Sequence, residues 1–209
     1  MLEAAGIDVT PFEPYRLAAD NVSIDKAESV QIARDFLKAI AAGKRWTSIF
    51  ISSVLNSVPF EQDRKHIVKI VANCCHPDTR VYAVASSEQQ TDLKNVKSKY
   101  ISEKMRDVRK MMLNYEPNVM LGEISDSPKV QKYHTPEEFY RLFKSAFSTV
   151  QVKYDAGTNV SAVAHGSTGI GGLREALEFE FNLPYPDGSR MGLVPEAIAA
   201  FETRLKVNL

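Results

Sequence analysis

Apolar residues recur every three or four positions in several stretches of the chain, which predicts amphipathic helices there. In residues 26–42, Ile32, Phe36 and Ile40 share one face, and Gly43 follows as a helix-ending signal. The sequence Thr135-Pro136 predicts the start of another helix, with a threonine cap and a proline in the first turn. The remaining predicted helices cover residues 63–75, 96–115, 173–181 and 195–206.

A second pattern, short runs rich in β-branched and aromatic residues, predicts strands. Residues 7–12 form such a run and end at Glu13, and residues 21–24 are a weaker candidate. Residues 47–55 are apolar on both faces, which is typical of a strand covered by helices on both sides. A further strand is expected at residues 80–85, and a hairpin at 149–154 and 159–164. Because strands and helices alternate up to residue 85, we expect an α/β fold with a parallel sheet.

Composition and charge indicate an ordinary globular protein. The chain has 209 residues, of which 44% are hydrophobic and 25% charged, as in ordinary globular domains. Its 26 Lys and Arg residues balance its 26 Asp and Glu residues, so no overall charge favours nucleic acid. Cys74 and Cys75 are adjacent and predict neither a disulfide nor, with His76, a metal site. No leader or membrane-spanning run is evident, so we expect a soluble, cytoplasmic protein.

Three segments carry a resemblance to a known family. They are Phe12-Glu13-Pro14, the run Ile51-Ser52-Ser53-Val54-Leu55-Asn56-Ser57-Val58, and residues 133–152 with the sequence Tyr-His-Thr-Pro-Glu-Glu-Phe at their start. Together with the order of elements, they resemble a class I S-adenosylmethionine-dependent methyltransferase from its second strand onward. The resemblance implies a Rossmann-like, mostly parallel sheet that ends in an antiparallel hairpin. It covers residues 1–165, with a helical insertion at 86–132, and leaves 166–209 as a helical extension.

The resemblance also implies where S-adenosylmethionine would bind. Glu13 would hold the ribose hydroxyls, and Ser52, Ser53 and Asn56 would line the pocket beyond a strand end. Asp25 would meet the adenine amino group, although its spacing to Glu28 favours a plain helix cap. No catalytic residue follows from the sequence, and we expect methyl transfer to an acceptor that the sequence does not identify.

The chain departs from that family in one respect. No counterpart of the first strand and its glycine-rich loop precedes Ala5. In the family this strand lies between the acidic strand and the strand at 47–55, so we expect a missing or rearranged strand. A partner chain, a second copy in a homo-oligomer, an upstream segment or a rearranged sheet would fill the gap. In one rearrangement, the glycine run Gly166–Gly172 before the last-but-one helix serves as the nucleotide loop.

Two alternative functions therefore stay open. The chain could be a non-catalytic methyltransferase-like subunit that needs a partner, or a component of a nucleic-acid-modifying methyltransferase. The basic stretch Lys94–Lys110 is a candidate nucleic-acid face, or else a solvated helix with salt bridges. His134 and His165 are candidate bases, although a lone histidine is more often structural.

Overall fold

The computed structural model describes residues 5–97, 110–122, 129–155 and 158–209. The chain divides into two compact units, Met1–Arg45 with Gly171–Leu209, and Trp46–Ile170. The sequence had instead suggested a boundary after residue 165 and had grouped the first 45 residues with the sheet. Among the described residues, no helix is both long and apolar enough to cross a membrane.

The first unit is helical. It contains α1 (Lys26–Ala41), α5 (Leu173–Glu180) and α6 (Val194–Leu205), all three of which were predicted. Its buried apolar side chains come from all three helices and include Ala33, Leu37, Ile40, Leu173, Leu177, Phe181, Ala197 and Phe201.

The predicted strand at residues 7–12 is wrong. These residues make no strand pairing, and the nearby Leu17 and Ile24 form a single isolated bridge. The ring of Phe12 instead packs 5.0 Å from that of Phe36 and 5.4 Å from that of Phe181. Burial of this aromatic side chain against helices has displaced strand formation, so Glu13 follows a loop segment rather than a strand.

The second unit is built on a four-stranded sheet in the order β1-β2-β7-β6. Its strands are β1 (Ser48–Ser52), β2 (Arg80–Ser86), β6 (Phe147–Asp155) and β7 (Asn159–Ser167). β1 and β2 are parallel, whereas β7 runs antiparallel to both of its neighbours. The predicted α/β class and C-terminal antiparallel hairpin are confirmed, and parallel pairing holds for β1 with β2 in this mixed sheet.

Two helices cover one face of this sheet. They are α2 (Glu61–Cys74), which connects β1 to β2, and α4 (Pro136–Lys144). The core between sheet and helices contains Ile51, Leu55, Val68, Ala72, Val81, Ala83, Phe139, Phe143, Phe147, Ala162 and Ala164. On the other face Phe50 is 68% exposed and stacks on Tyr82. The expectation that helices cover this strand on both sides is therefore wrong, because its side chains alternate between core and solvent.

A small second sheet occupies the predicted insertion. It is an antiparallel meander of β3 (Met111–Leu113), β4 (Val119–Leu121) and β5 (Val130–Lys132), preceded by α3 (Thr91–Lys97). The helix predicted at 96–115 falls partly outside the described residues. Its predicted end is wrong, because Met111–Leu113 pairs with Val119–Leu121. Pairing with the neighbouring strand β4 has overridden the local helical pattern here.

β7 lies between β2 and β6, and both of its edges are paired. It therefore does not pair with β1, where the resemblance places the missing strand. The rearranged sheet in which residues 161–172 replace that strand is wrong for this reason. Within the described part of the chain, the other edge of β1 has no strand partner.

Candidate functional site at the carboxyl ends of β1 and β2

The predicted pocket loop starts where β1 ends. Ser53 continues the ladder, since its N–H donates to Val84 O at 2.9 Å. The same residue has φ = 58°, in the left-handed region, so the chain turns sharply there. Ser52 and Ser53 are exposed, whereas Asn56 is 7% exposed. The three predicted residues thus lie at the last position of β1 and in the loop that follows it, and Asn56 is the buried one.

The side chain of Asn56 connects this loop to β5 and β2. Its Nδ2 donates to Gln131 Oε1 at 3.4 Å, and Gln131 Nε2 donates to Ser86 Oγ at 3.0 Å. Its Oδ1 is buried and has no hydrogen-bond partner among the residues that the structure describes. An unsatisfied buried acceptor is costly, so this oxygen is a candidate contact for an N–H or O–H donor of a ligand.

The segment after β5 crosses the ends of both parallel strands. The N–H of Lys132 donates to Asn56 O at 2.8 Å, and the N–H of His134 donates to Ser86 O at 2.8 Å. His134 O in turn accepts from Glu88 N at 3.2 Å. These backbone bonds fix the loop after β1 against the end of β2.

A cluster of buried charged side chains lies next to that segment. Arg64 is 2% exposed and donates to Val58 O at 2.7 Å and Pro59 O at 2.9 Å. The guanidinium also forms an ion pair with Glu116. A charged side chain is retained in such a position only with opposite charges and hydrogen bonds around it.

Lys132 is the second buried cation. Its ammonium group lies 3.0 Å from Glu116 Oε1 and 3.3 Å from Glu138 Oε1, and it donates to Pro117 O at 2.7 Å. Two cations therefore meet two carboxylates. The cluster of Arg64, Lys132, Glu116 and Glu138 is named the ion cluster below.

Sequence reasoning had missed the ion cluster. One signal was present, since Arg64, Val68 and Ala72 share a face of α2 at a spacing of four residues. An arginine in line with core residues indicates a buried cation. No comparable signal marked Lys132 or Glu116, whose positions depend on the small sheet.

His134 lies beside the ion cluster and is 2% exposed. Burial is the main cause that lowers its pKa to about 3; the charges of Arg64 and Lys132 act in the same direction, and a hydrogen bond with the backbone of Leu55 opposes them. The imidazole is therefore neutral at pH 7, and its buried Nε2 has no hydrogen-bond partner within the described ranges. A base of such low proton affinity is poorly suited to general-base catalysis at neutral pH. The other candidate, His165, lies half-buried in β7, opposite Thr149.

Two of the predicted binding residues belong to the helical unit. Glu13 is exposed, and its Oε1 accepts from Tyr15 N at 3.1 Å. Asp25 caps α1 by accepting from Glu28 N at 2.9 Å. The capping interpretation of Asp25 is confirmed. The ribose contact of Glu13 stays a prediction, without the strand on which it was based.

The basic stretch at 94–110 is described only at its ends. Lys97 Nζ donates to Asn118 Oδ1, and Lys110 lies 3.6 Å from Asp92 Oδ2. At these described ends the lysines contact acceptors of the same chain. Among the described residues, no group of three or more His, Cys, Asp or Glu side chains has a metal-binding arrangement.

No family model and no curated protein matches this sequence. Among solved structures, the chain is similar to the PH0226 protein from Pyrococcus horikoshii OT3. The two share 11% identity over 79% of this chain and 74% of that one, with a TM-score of 0.48. This likeness assigns no activity to the chain.

Proposed function

We propose that this chain is a methyltransferase-like subunit whose S-adenosylmethionine site is completed by a further strand paired with β1. The observation that carries the proposal is the edge of β1 with which no strand of the described residues pairs. This edge leads directly into the loop that contains Ser53 and Asn56, and it is called the free edge below. In the family that the sequence resembles, the strand with the glycine-rich loop pairs at this edge.

The ladder between β1 and β2 identifies which backbone groups are free. Arg80 N donates to Thr47 O at 3.0 Å, and Ser53 N donates to Val84 O at 2.9 Å. Bonds in a parallel ladder recur at every second residue, so residues 47, 49, 51 and 53 face β2. The N–H and C=O groups of Ser48, Phe50 and Ser52 therefore point to the free edge, where an added strand would bond.

A second observation supports the ligand class. S-adenosylmethionine has two nitrogen donors, the adenine amino group and the methionine ammonium group. The buried Asn56 Oδ1 is an acceptor without a partner in the described part of the chain. It lies at the carboxyl end of a parallel pair, where ligands of α/β sheets bind. His134 is neutral, and the two cations of the ion cluster are balanced by its two carboxylates, so these described groups add no net positive charge that would repel a cationic sulfonium.

The placement of Glu13 favours a subunit over a self-sufficient enzyme. It follows no strand and belongs to the helical unit. The partner strand would then supply the glycine-rich loop, and the carboxylate for the ribose would come with it.

Calorimetric titration with S-adenosylhomocysteine tests the proposal. The tagged chain is titrated alone and again as the complex isolated from its native cells. We expect binding by the complex and none by the chain alone. Ligand at about 100 times its dissociation constant should raise the free energy of unfolding by about 2.7 kcal/mol.

Two variants connect binding to the free edge. Phe50→Pro removes an N–H that faces the edge, and Phe50→Ala is its control because it removes the same ring and keeps the N–H. We expect the proline variant alone to lose the partner and the ligand. Binding by the isolated chain would overturn the subunit proposal in favour of a self-contained enzyme. Absence of binding by the complex would overturn S-adenosylmethionine as the ligand.

A further inference from the structure

The opposite edge of the sheet carries a separate surface. β6 pairs with β7 along one side, and in the described part of the chain no strand pairs with its other side. A shallow groove follows this edge and is lined by Pro136, Glu137, Tyr140, Arg141, Val150 and Val152. Tyr140 is 41% exposed. A long, unpaired strand edge beside apolar side chains is a site for adding another strand.

The direction of the backbone N–H and C=O groups of β6 shows that a further strand can pair with this edge. Ser87 N donates to Thr158 O at 3.1 Å, so the even-numbered residues of β7 face β2. The odd-numbered residues of β7 then face β6, where they bond residues 149, 151 and 153. The N–H and C=O groups of Val150 and Val152 point outward, while their side chains pack on the core face beside α4.

The groove has opposite charges toward its two ends. Glu137 lies in the first turn of α4 and Arg141 in its last turn. The chain reverses between α4 and β6, as shown by the bond from Lys144 Nζ to Ser148 O. Arg141 therefore lies toward the start of β6, and Glu137 toward its end.

We propose that this groove binds a second copy of the chain, with the two β6 strands antiparallel about a two-fold axis beside Gln151. A two-fold contact requires a surface that is complementary to itself. Antiparallel pairing reverses the groove, so Glu137 of one protomer faces Arg141 of the partner subunit, and the reverse contact repeats across the axis. Val150 lies opposite Val152 of the partner subunit, and the backbone groups of these residues exchange hydrogen bonds.

The same register avoids like charges. Lys153 is the cation of β6 that would normally protect an edge strand from pairing. With the axis at Gln151, Lys153 lies opposite Thr149 of the partner subunit rather than opposite another lysine. One register thus allows both the contacts between Val150 and Val152 of the partner subunit and the two Glu–Arg pairs.

Sedimentation velocity of the purified chain over a range of concentrations tests the proposal. We expect a monomer–dimer equilibrium. Glu137→Arg and Arg141→Glu each bring like charges together twice across the axis, so each should weaken dimerisation about tenfold or more at low salt. An equimolar mixture of the two variants should restore the dimer, because every facing pair is then opposite in sign. Lys94→Glu, outside the groove, is the control and should dimerise like the parent chain.

A chain that stays monomeric at all concentrations would overturn the proposal and leave the groove to a different protein. A dimer that is insensitive to both single variants would show that the copies meet elsewhere. The outcome is independent of the β1 edge and of S-adenosylhomocysteine, so it is distinguishable from failure of the proposed function.

Discussion

The ammonium group of Lys132 lies 3.0 Å from the carboxylate of Glu116, although Lys132 is 1% exposed. The same carboxylate binds the guanidinium of Arg64 on α2. One anion therefore holds two buried cations, and through them it joins the first helix of the sheet unit to β5. Lys132 also donates its backbone N–H to Asn56 O after β1, so this contact lies at the carboxyl end of that strand.

Glu116→Gln should destabilise the protein strongly. The substitution leaves two buried cations with one carboxylate fewer, and breaking a buried pair in this way costs about 3–5 kcal/mol. The matched control is Glu61→Gln, because Glu61 forms an exposed pair with Lys65 at 2.7 Å; its loss should cost less than about 1 kcal/mol. Urea denaturation measures both. Equal losses for the two variants would contradict the structural role of the ion cluster.

His134 should make the protein sensitive to acid. Its pKa is about 3 in the folded protein, against about 6.5 when unfolded. Between these values the unfolded state binds the extra proton, so stability is full above about pH 6.5 and falls as the pH decreases toward 3. The contribution of this residue should change by about 1.4 kcal/mol per pH unit within that window.

Comparison with His134→Gln isolates this contribution. The variant keeps a polar side chain but cannot titrate, so its stability should decline less between pH 7 and pH 4. Denaturation curves at a series of pH values provide the measurement. Parallel curves for the two proteins would show that the histidine titrates normally.

Asp25 should act as a helix cap and as nothing more. Asp25→Ala removes the acceptor for Glu28 N and should cost about 1 kcal/mol, while Asp25→Asn should cost little because asparagine caps equally well. If the adenine amino group required the carboxylate, Asp25→Asn would weaken S-adenosylhomocysteine binding by the complex without changing stability. We expect unchanged affinity in the calorimetric titration.

The sequence predicted correctly those elements that depend on residues close together in the chain. α4 begins where Thr135, Pro136 and Glu138 indicated, because the threonine and glutamate form a reciprocal capping box. The hairpin of β6 and β7 formed because both strands have enough β-branched residues to pair with a neighbour in sequence. The same locality made the loop of Ser52, Ser53 and Asn56 predictable from the end of a buried strand.

Long-range packing determined what the sequence did not reveal. Residues 7–12 have strand propensity, but the ring of Phe12 packs against the rings of Phe36 and Phe181. Met111–Leu113 has a helical pattern but forms β3, because it pairs across a short turn with β4, which in turn pairs with β5. In the ion cluster, Arg64 pairs with Glu116, 52 positions away, and no pattern within a helix or strand records such a contact.

Proline substitutions in β1 should distinguish its two edges. Ile51 bonds to β2, so Ile51→Pro removes a ladder bond and should cost about 1–3 kcal/mol more than Ile51→Ala. Phe50 directs its N–H away from β2, so in the isolated chain Phe50→Pro should be within about 0.5 kcal/mol of Phe50→Ala. Thermal and urea denaturation of the four variants measure the two differences. If Phe50→Pro were as damaging as Ile51→Pro, the outer edge of β1 would already be bonded within the chain, and a strand from a partner would have no place to pair.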